Sequence, residues 1–80
     1  MEEVRNKVHQ IVSEHLAVDA SEISDNSHLQ DDLNADQLAL ADVVVSLEEE
    51  YKIKIPQEDF LKFGTVGDIV TYVSEHLNEL

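Results

Sequence analysis

Cysteine and tryptophan are absent, there is one proline and there are two glycines, and only five lysines and arginines face eighteen aspartates and glutamates. Without cysteine neither a disulfide framework nor a zinc–thiolate staple is available, so stability has to come from packing. Without a basic stripe nothing can release counterions from a phosphate backbone, which excludes DNA and RNA as partners. No apolar run approaches the roughly 18–20 residues that cross a bilayer, and the opening MEEVRNKVHQ is too polar for a secretory signal. A membrane role is therefore not expected, and a cytoplasmic location is. What remains is an 80-residue chain of net charge -13 with 42% hydrophobic residues. A chain of this length buries only about 60–65% of its unfolded surface, enough for one modest core and hardly for an enclosed substrate pocket. The expectation is one domain over residues 1–80, monomeric, not an enzyme, whose partners are basic protein surfaces or cations.

Apolar periodicity divides the chain into helices. Val4, Val8, Ile11, Val12 and Leu16 draw one stripe at a period of 3.6 and predict helix I over residues 2–16, with Glu2 and Glu3 at the positive end of its dipole and His15 at the negative end. From Ala17 to Ala35 the period is lost among Asp, Ser and Asn, while Val18, Ile23, Leu29 and Leu33 recur irregularly. This predicts a long loop pinned across the core, with a short turn near Ser21–Ser24. Asp36 is suited to cap a following helix. Helix II then runs through QLALADVVVSLEEEY with Leu40, Val43, Val44, Leu47 and Tyr51 inward. KIKIP reads as an extended connector, since Pro56 disfavours helix at Ile55. Gln57–Lys62 predicts a short helix III with Phe60 and Leu61 inward and Gly64 as its stop. Thr65-Val66-Gly67-Asp68 resembles a capping box, and Ile69, Val70, Val73 and Leu77 carry helix IV to about Asn78. The fold expected is all-α: a four-helix bundle with a long loop between helices I and II and a short helix III. The pentapeptide Val-Ser-Glu-His-Leu occurs at 12–16 and again at 73–77, far too short for a structural repeat.

Charge is distributed more sharply than its total suggests. Between Val8 and Tyr51 there is no Lys or Arg, yet Glu14, Asp19, Glu22, Asp25, Asp31, Asp32, Asp36, Asp42, Glu48, Glu49 and Glu50 all fall there. Such a run can be a solvated face that keeps a domain soluble. Its spread over helix II and the preceding loop favours a docking surface that attracts a basic patch. Leu38, Ala41 and Val45 form a second stripe on helix II, which either faces solvent or joins the core. Asp32-Leu33-Asn34-Ala35-Asp36 imitates the opening of an EF-hand loop, but Gln37 stands where Gly is needed and Val43 where a bidentate Glu is needed. Weak divalent binding at Asp31, Asp32 and Asp36 is the most this supports. His9, His15, His28 and His76 lack metal-ligand spacing, and no serine sits in a nucleophile elbow.

Asp32-Leu33-Asn34-Ala35-Asp36-Gln37-Leu38, Ser46-Leu47-Glu48-Glu49-Glu50-Tyr51, Ile53-Lys54-Ile55-Pro56 and Thr65-Val66-Gly67-Asp68, in this order, resemble the acyl carrier protein family across essentially the whole chain. The resemblance implies a four-helix bundle whose acidic second helix docks onto basic patches of acyl-handling enzymes, through Asp36, Leu38, Ala41, Asp42, Val45, Glu48 and Glu49. In that family the start of helix II reads Asp-Ser-Leu, and the serine hydroxyl receives 4'-phosphopantetheine from coenzyme A. Here the three positions are Asp36, Gln37 and Leu38. An amide nitrogen delocalised into its carbonyl is no nucleophile, and no residue from Asn34 to Leu40 bears a hydroxyl or thiol, so the family's cofactor is not expected. Ser27 lies about ten residues too early and Ser46 about two and a half turns too late. Asn34 replaces the usual Gly, a change a left-handed turn tolerates, and Ala41 is smaller than the usual aliphatic.

The sequence is compatible with three functions. The first is a carrier-like protein without the arm, acting as an acidic docking module for acyl-handling enzymes or another protein subunit. The second is a working carrier in fatty-acid or polyketide-type biosynthesis, with an attachment site elsewhere or with Gln37 introduced in place of an original serine. The third is a divalent-cation-responsive protein unrelated to carriers, which the order of the motifs disfavours.

Overall fold

The stripe from Val4 to Leu16 becomes the inner face of α1 (Glu2–Leu16) in a computed structural model that describes residues 2–77. Three further helices follow: α2 (Gln37–Tyr51), α3 (Gln57–Phe60) and α4 (Val66–Leu77). Helix α1 packs against both α2 and α4. The expected end of the last helix at Asn78 lies outside the described residues. Among the described residues there is no strand, only an isolated antiparallel bridge between His28 and Thr65, and no helix is long and apolar enough to cross a membrane. The all-α bundle with a long first loop and a short third helix is the architecture observed.

Every helix of three or more turns contributes side chains to one core: Val8 and Val12 from α1, Leu40, Val43, Val44 and Leu47 from α2, and Val66, Ile69, Val70 and Val73 from α4. Burying each such aliphatic contributes roughly 1.5–3 kcal/mol. The three consecutive valines therefore sit in a helix because two of them, Val43 and Val44, are buried by its packing, which outweighs their modest cost in helix propensity.

The segment between α1 and α2 is an ordered wrap. One 3₁₀ turn, Ala20–Glu22, is capped by Asp19, whose carboxylate accepts from the Ser21 amide at 2.9 Å. Ile23, Leu29, Leu33 and Ala35 are buried and Val18 packs against the core. Asp25 fixes the wrap at its centre. Its carboxylate accepts from Arg5 Nε at 2.8 Å and from His9 Nε2 at 2.9 Å, both on α1. Its carbonyl accepts from the Gly67 amide of α4 at 2.8 Å. Two more backbone bonds extend this seam: Val66 N to Ser27 O at 3.1 Å and Leu29 N to Gly64 O at 2.9 Å.

Gly67 is required by that approach. A Cβ at this position would lie 2.9 Å from the Asp25 carbonyl oxygen and 3.3 Å from its Cβ, whereas one at Gly64 would meet only Asp68 Oδ2 at 3.5 Å. The capping box at α4 forms as expected, with the Asp68 amide donating to Thr65 Oγ1 at 3.2 Å and Asp68 Oδ2 accepting from the amides of Gly64 and Thr65 at 2.8 and 3.0 Å.

Two details of helix III differ from the sequence expectation. The helix ends at Phe60, not Lys62, and Leu61 points outward, 53% exposed. A single turn gives only one inward position. Phe60 takes it, Leu61 is rotated about 100° away, and Phe63, three residues after Phe60, packs edge-on against Tyr72 with ring centroids 5.3 Å apart. Gly64 is not a left-handed stop, since no described glycine has positive φ. Left-handed residues occur instead at Ala17, Asn34 and Lys52, with φ of 57°, 57° and 56°.

Gly67→Ala is expected to lower stability in denaturant unfolding by about 1–3 kcal/mol, because backbone must move to admit the methyl, while Gly64→Ala should be near neutral. A pH effect follows from Asp68. Hydrogen bonds from the Gly64 and Thr65 amides hold its carboxyl below the ordinary carboxylate range. Its contribution is thus fully present above the unfolded value of about 3.9 and is lost as pH falls through the lower folded value. The stability gap between the natural protein and Asp68→Asn should be constant from pH 7 to about 5 and shrink as the pH is taken below about 4.

Candidate functional site

The acidic helix α2 and the turn that enters it make the candidate site. That turn is built by the loop. Leu33 and Ala35 are buried, the Ala35 amide donates to Leu29 O at 2.8 Å, and between them Asn34 takes the left-handed conformation, φ 57°. Asn is among the few residues other than Gly that adopt it readily. The chain then becomes extended at Asp36, with φ -78° and ψ 177°, and its carboxylate accepts from the Ala39 amide at 2.8 Å. Gln37 is the first helical residue and its side chain is exposed.

The second stripe of α2 faces solvent. Leu38 is 74% and Val45 51% exposed, and Ala41 between them is partly exposed. Large apolar side chains left bare in a row along a helix mark a contact surface more often than scattered single ones do. Asp42 and Glu49 are exposed beside the stripe. Glu48, expected on the same surface, has a second employment: it is half-buried and its Oε2 accepts from the Ile55 amide at 2.8 Å, closing the connector onto α2. The same connector leaves α2 through Lys52, which ends the helix in a left-handed conformation.

The remaining candidates separate in space. Ser46 faces α1, where its Oγ is hydrogen bonded to His15 Nε2 at 2.6 Å. Ser27 is buried and its Oγ accepts from the Ser24 amide at 3.0 Å. Neither hydroxyl stands at the start of α2. Asp32, like Asp36, uses a carboxylate oxygen on the backbone, accepting from the His28 amide at 2.8 Å. Among the described residues no three His, Asp or Glu side chains are placed to hold a metal ion. His9 and His15 each bond another side chain, while His76 stacks on Tyr72 and its Nδ1 lies 2.9 Å from the Tyr72 carbonyl. The bond from Ile55 to Glu48 is a part of the site that spacing does not suggest, since an acidic residue seven positions before an amide carries no local signature.

Comparison with known proteins covers nearly the whole chain. Residues 6–73 match the family model described as phosphopantetheine attachment site. An acyl carrier protein of Thermotoga maritima is 45% identical over 76 residues, 95% of this chain and 94% of that one. One of Clostridium acetobutylicum is 41% identical over 76 residues, 95% and 99% of the two chains. A solved structure of acyl carrier protein from Enterococcus faecalis superposes with a TM-score of 0.78 at 39% identity, covering 92% of this chain and 94% of that one.

The two acidic residues of α2 should separate on mutation. Glu48→Ala is expected to cost about 1–3 kcal/mol, because it strips a charged acceptor from the amide of buried Ile55, whereas exposed Asp42→Ala should stay within about 0.5 kcal/mol of the natural protein. Urea unfolding of the two variants side by side measures this.

Proposed function

The chain belongs to the acyl carrier protein family, a family of carriers and not of enzymes, and from that premise we propose that it is a carrier homologue without the attachment serine, serving as an acidic docking module for acyl-handling enzymes. One observation carries the proposal. Within the span that matches the attachment-site family, the first residue of α2 is Gln37, and no residue from Asn34 to Leu40 offers a hydroxyl or thiol. A helix N-terminus favours an anionic phosphodiester through its free amides and dipole, but the bond itself needs a nucleophile. Asp36 and Leu38 then flank a position that holds no arm, and no 4'-phosphopantetheine is carried.

The docking half of the function is supported separately. Leu38, Ala41 and Val45 offer an apolar strip, Asp36, Asp42 and Glu49 surround it with negative charge, and Glu48 holds the end of the helix in shape. A basic patch on a partner is drawn to such a surface at a rate that falls with salt, and the apolar strip supplies contact area once the two meet. Divalent ions act on Asp31, Asp32 and Asp36 only as screening charge. In this reading residues 1–80 are one carrier-type domain, cytoplasmic and monomeric, attached to fatty-acid or related acyl metabolism through its partner.

The alternative is a working carrier modified at another hydroxyl. Intact-protein mass spectrometry after incubation with coenzyme A and a promiscuous phosphopantetheinyl transferase separates the two. The expected result is no mass increment while an ordinary carrier in the same vessel is fully modified; a stoichiometric increment would establish an active carrier using another residue. For the docking role, Asp42→Lys combined with Glu49→Lys should weaken binding to an acyl-handling enzyme by about tenfold or more, with a shallower salt dependence. Unchanged affinity sinks it.

A further inference from the structure

Lys52 and Lys54 are two of the five basic residues in the chain, and both fall at the exit of α2. They stand on the rim of a surface groove of about 370 Å³ that Val45, Glu48, Glu49 and Ile53 also line. Val45 is the last member of the exposed apolar strip, so this groove continues the strip toward the C-terminal end of the helix. Past Asp42 the face therefore becomes mixed in sign, with Lys52 and Lys54 joining Glu48 and Glu49 at the groove.

The two lysines are held in place by the backbone beneath them. Lys52 is fixed at φ 56° and ψ 44° as the end of α2. Ile55 is buried, Ile53 packs against the core, and the Ile55 amide is bonded to Glu48. With 53 and 55 turned inward, positions 52 and 54 are the exposed ones. Among the described residues neither lysine has an ion-pair partner. A cation at a helix C-terminus also suits the helix dipole, which is reason enough for Lys52. That effect fades within the last turn, and Lys54 lies three residues beyond Tyr51, so the dipole does not account for it.

We propose that this face selects a partner surface of mixed sign, basic opposite Asp42 and Glu49 and acidic opposite Lys52 and Lys54. The proposal rests on the docking reading above and adds to it the charge pattern of the partner. A patch basic from end to end meets the lysines with like charge, and at physiological ionic strength screening over about 8 Å leaves that contact unfavourable. A patch with a carboxylate at one end is attracted along its whole length, and the sign change also fixes which way round it lies on α2.

The test uses two acyl-handling enzymes chosen for their carrier-binding patches, one with lysines and arginines throughout and one with carboxylates at the end that meets the exit of α2. Titration calorimetry compares the natural protein with Lys52→Glu/Lys54→Glu. The natural protein should prefer the mixed patch, and the double variant should bind it about tenfold more weakly and the all-basic patch about tenfold more tightly, with a steeper salt dependence. Lys54→Glu alone, which leaves the end of α2 untouched, should move both affinities in the same directions by a smaller factor, so a folding defect at Lys52 does not decide the result. Identical preferences for the natural protein and both variants overturn the proposal. If Asp42→Lys/Glu49→Lys weakens binding while the lysine variants change nothing, only the charge pattern falls; if neither set has an effect, the docking reading falls with it.

Discussion

The bundle depends on Asp25. Its carboxylate receives Arg5 and His9 from α1 and its carbonyl receives Gly67 from α4, so one residue of the long wrap ties two helices by polar bonds. Hydrogen bonds from His9, and then from Arg5, hold this carboxyl below its ordinary range against the opposing effect of burial. The geometry explains why the twenty residues between α1 and α2 do not behave as a slack loop. With Asp25 fixed, Ile23 falls on one side of the anchor and Leu29 on the other, and both reach the core. The loop in turn delivers Leu33, Asn34 and Ala35 to the entrance of α2, so the start of the candidate site is positioned by an interaction made on the far side of the wrap.

The four helices were legible because the signals that specify them are local: a 3.6 period for α1, α2 and α4, a carboxylate at Asp36, the Thr65–Asp68 box, and Asn34 where a left-handed residue was needed. What escaped is what depends on partners distant in sequence. Asp25 lies 20 residues from Arg5 and has no motif around it. Ala17 and Lys52 adopt left-handed conformations at helix ends where a glycine would have announced them. Leu61 stands outside the core for a related reason. Apolar character marks a candidate for the core, but a one-turn helix has a single inward direction and Phe60 occupies it. The exposure of Leu38 and Val45 was undecided from spacing, since two stripes on one helix can both be buried when neighbours exist on both sides; α2 has α1 on one side and leaves the other open.

Two groups of carboxylates differ in a way that bears on the candidate site. Asp19, Asp32, Asp36, Glu48 and Asp68 each accept a backbone amide and so terminate or join elements. Asp42 and Glu49 accept none of the bonds that hold the fold and stand exposed beside the apolar strip. A net charge of -13 costs self-repulsion in the compact state. Part of that cost is offset because the first group turns its charge into stronger hydrogen bonds, which are roughly twice as strong as neutral ones. The second group has no such structural return.

The same separation clarifies what Gln37 changes. The left-handed turn at Asn34, the Asp36 cap, the exposed strip and the closed connector each involve residues other than 37, and the side chain at 37 is exposed at the first helical position, where it contributes nothing to packing. A hydroxyl or an amide there is therefore nearly equivalent for stability, while for a reaction that needs a nucleophile the two are opposites. Fold and docking surface are properties of many side chains and decay slowly under substitution; attachment chemistry rests on one atom and is lost in one step. This chain has the first set in place, and at position 37 it has an amide where a nucleophile would be needed.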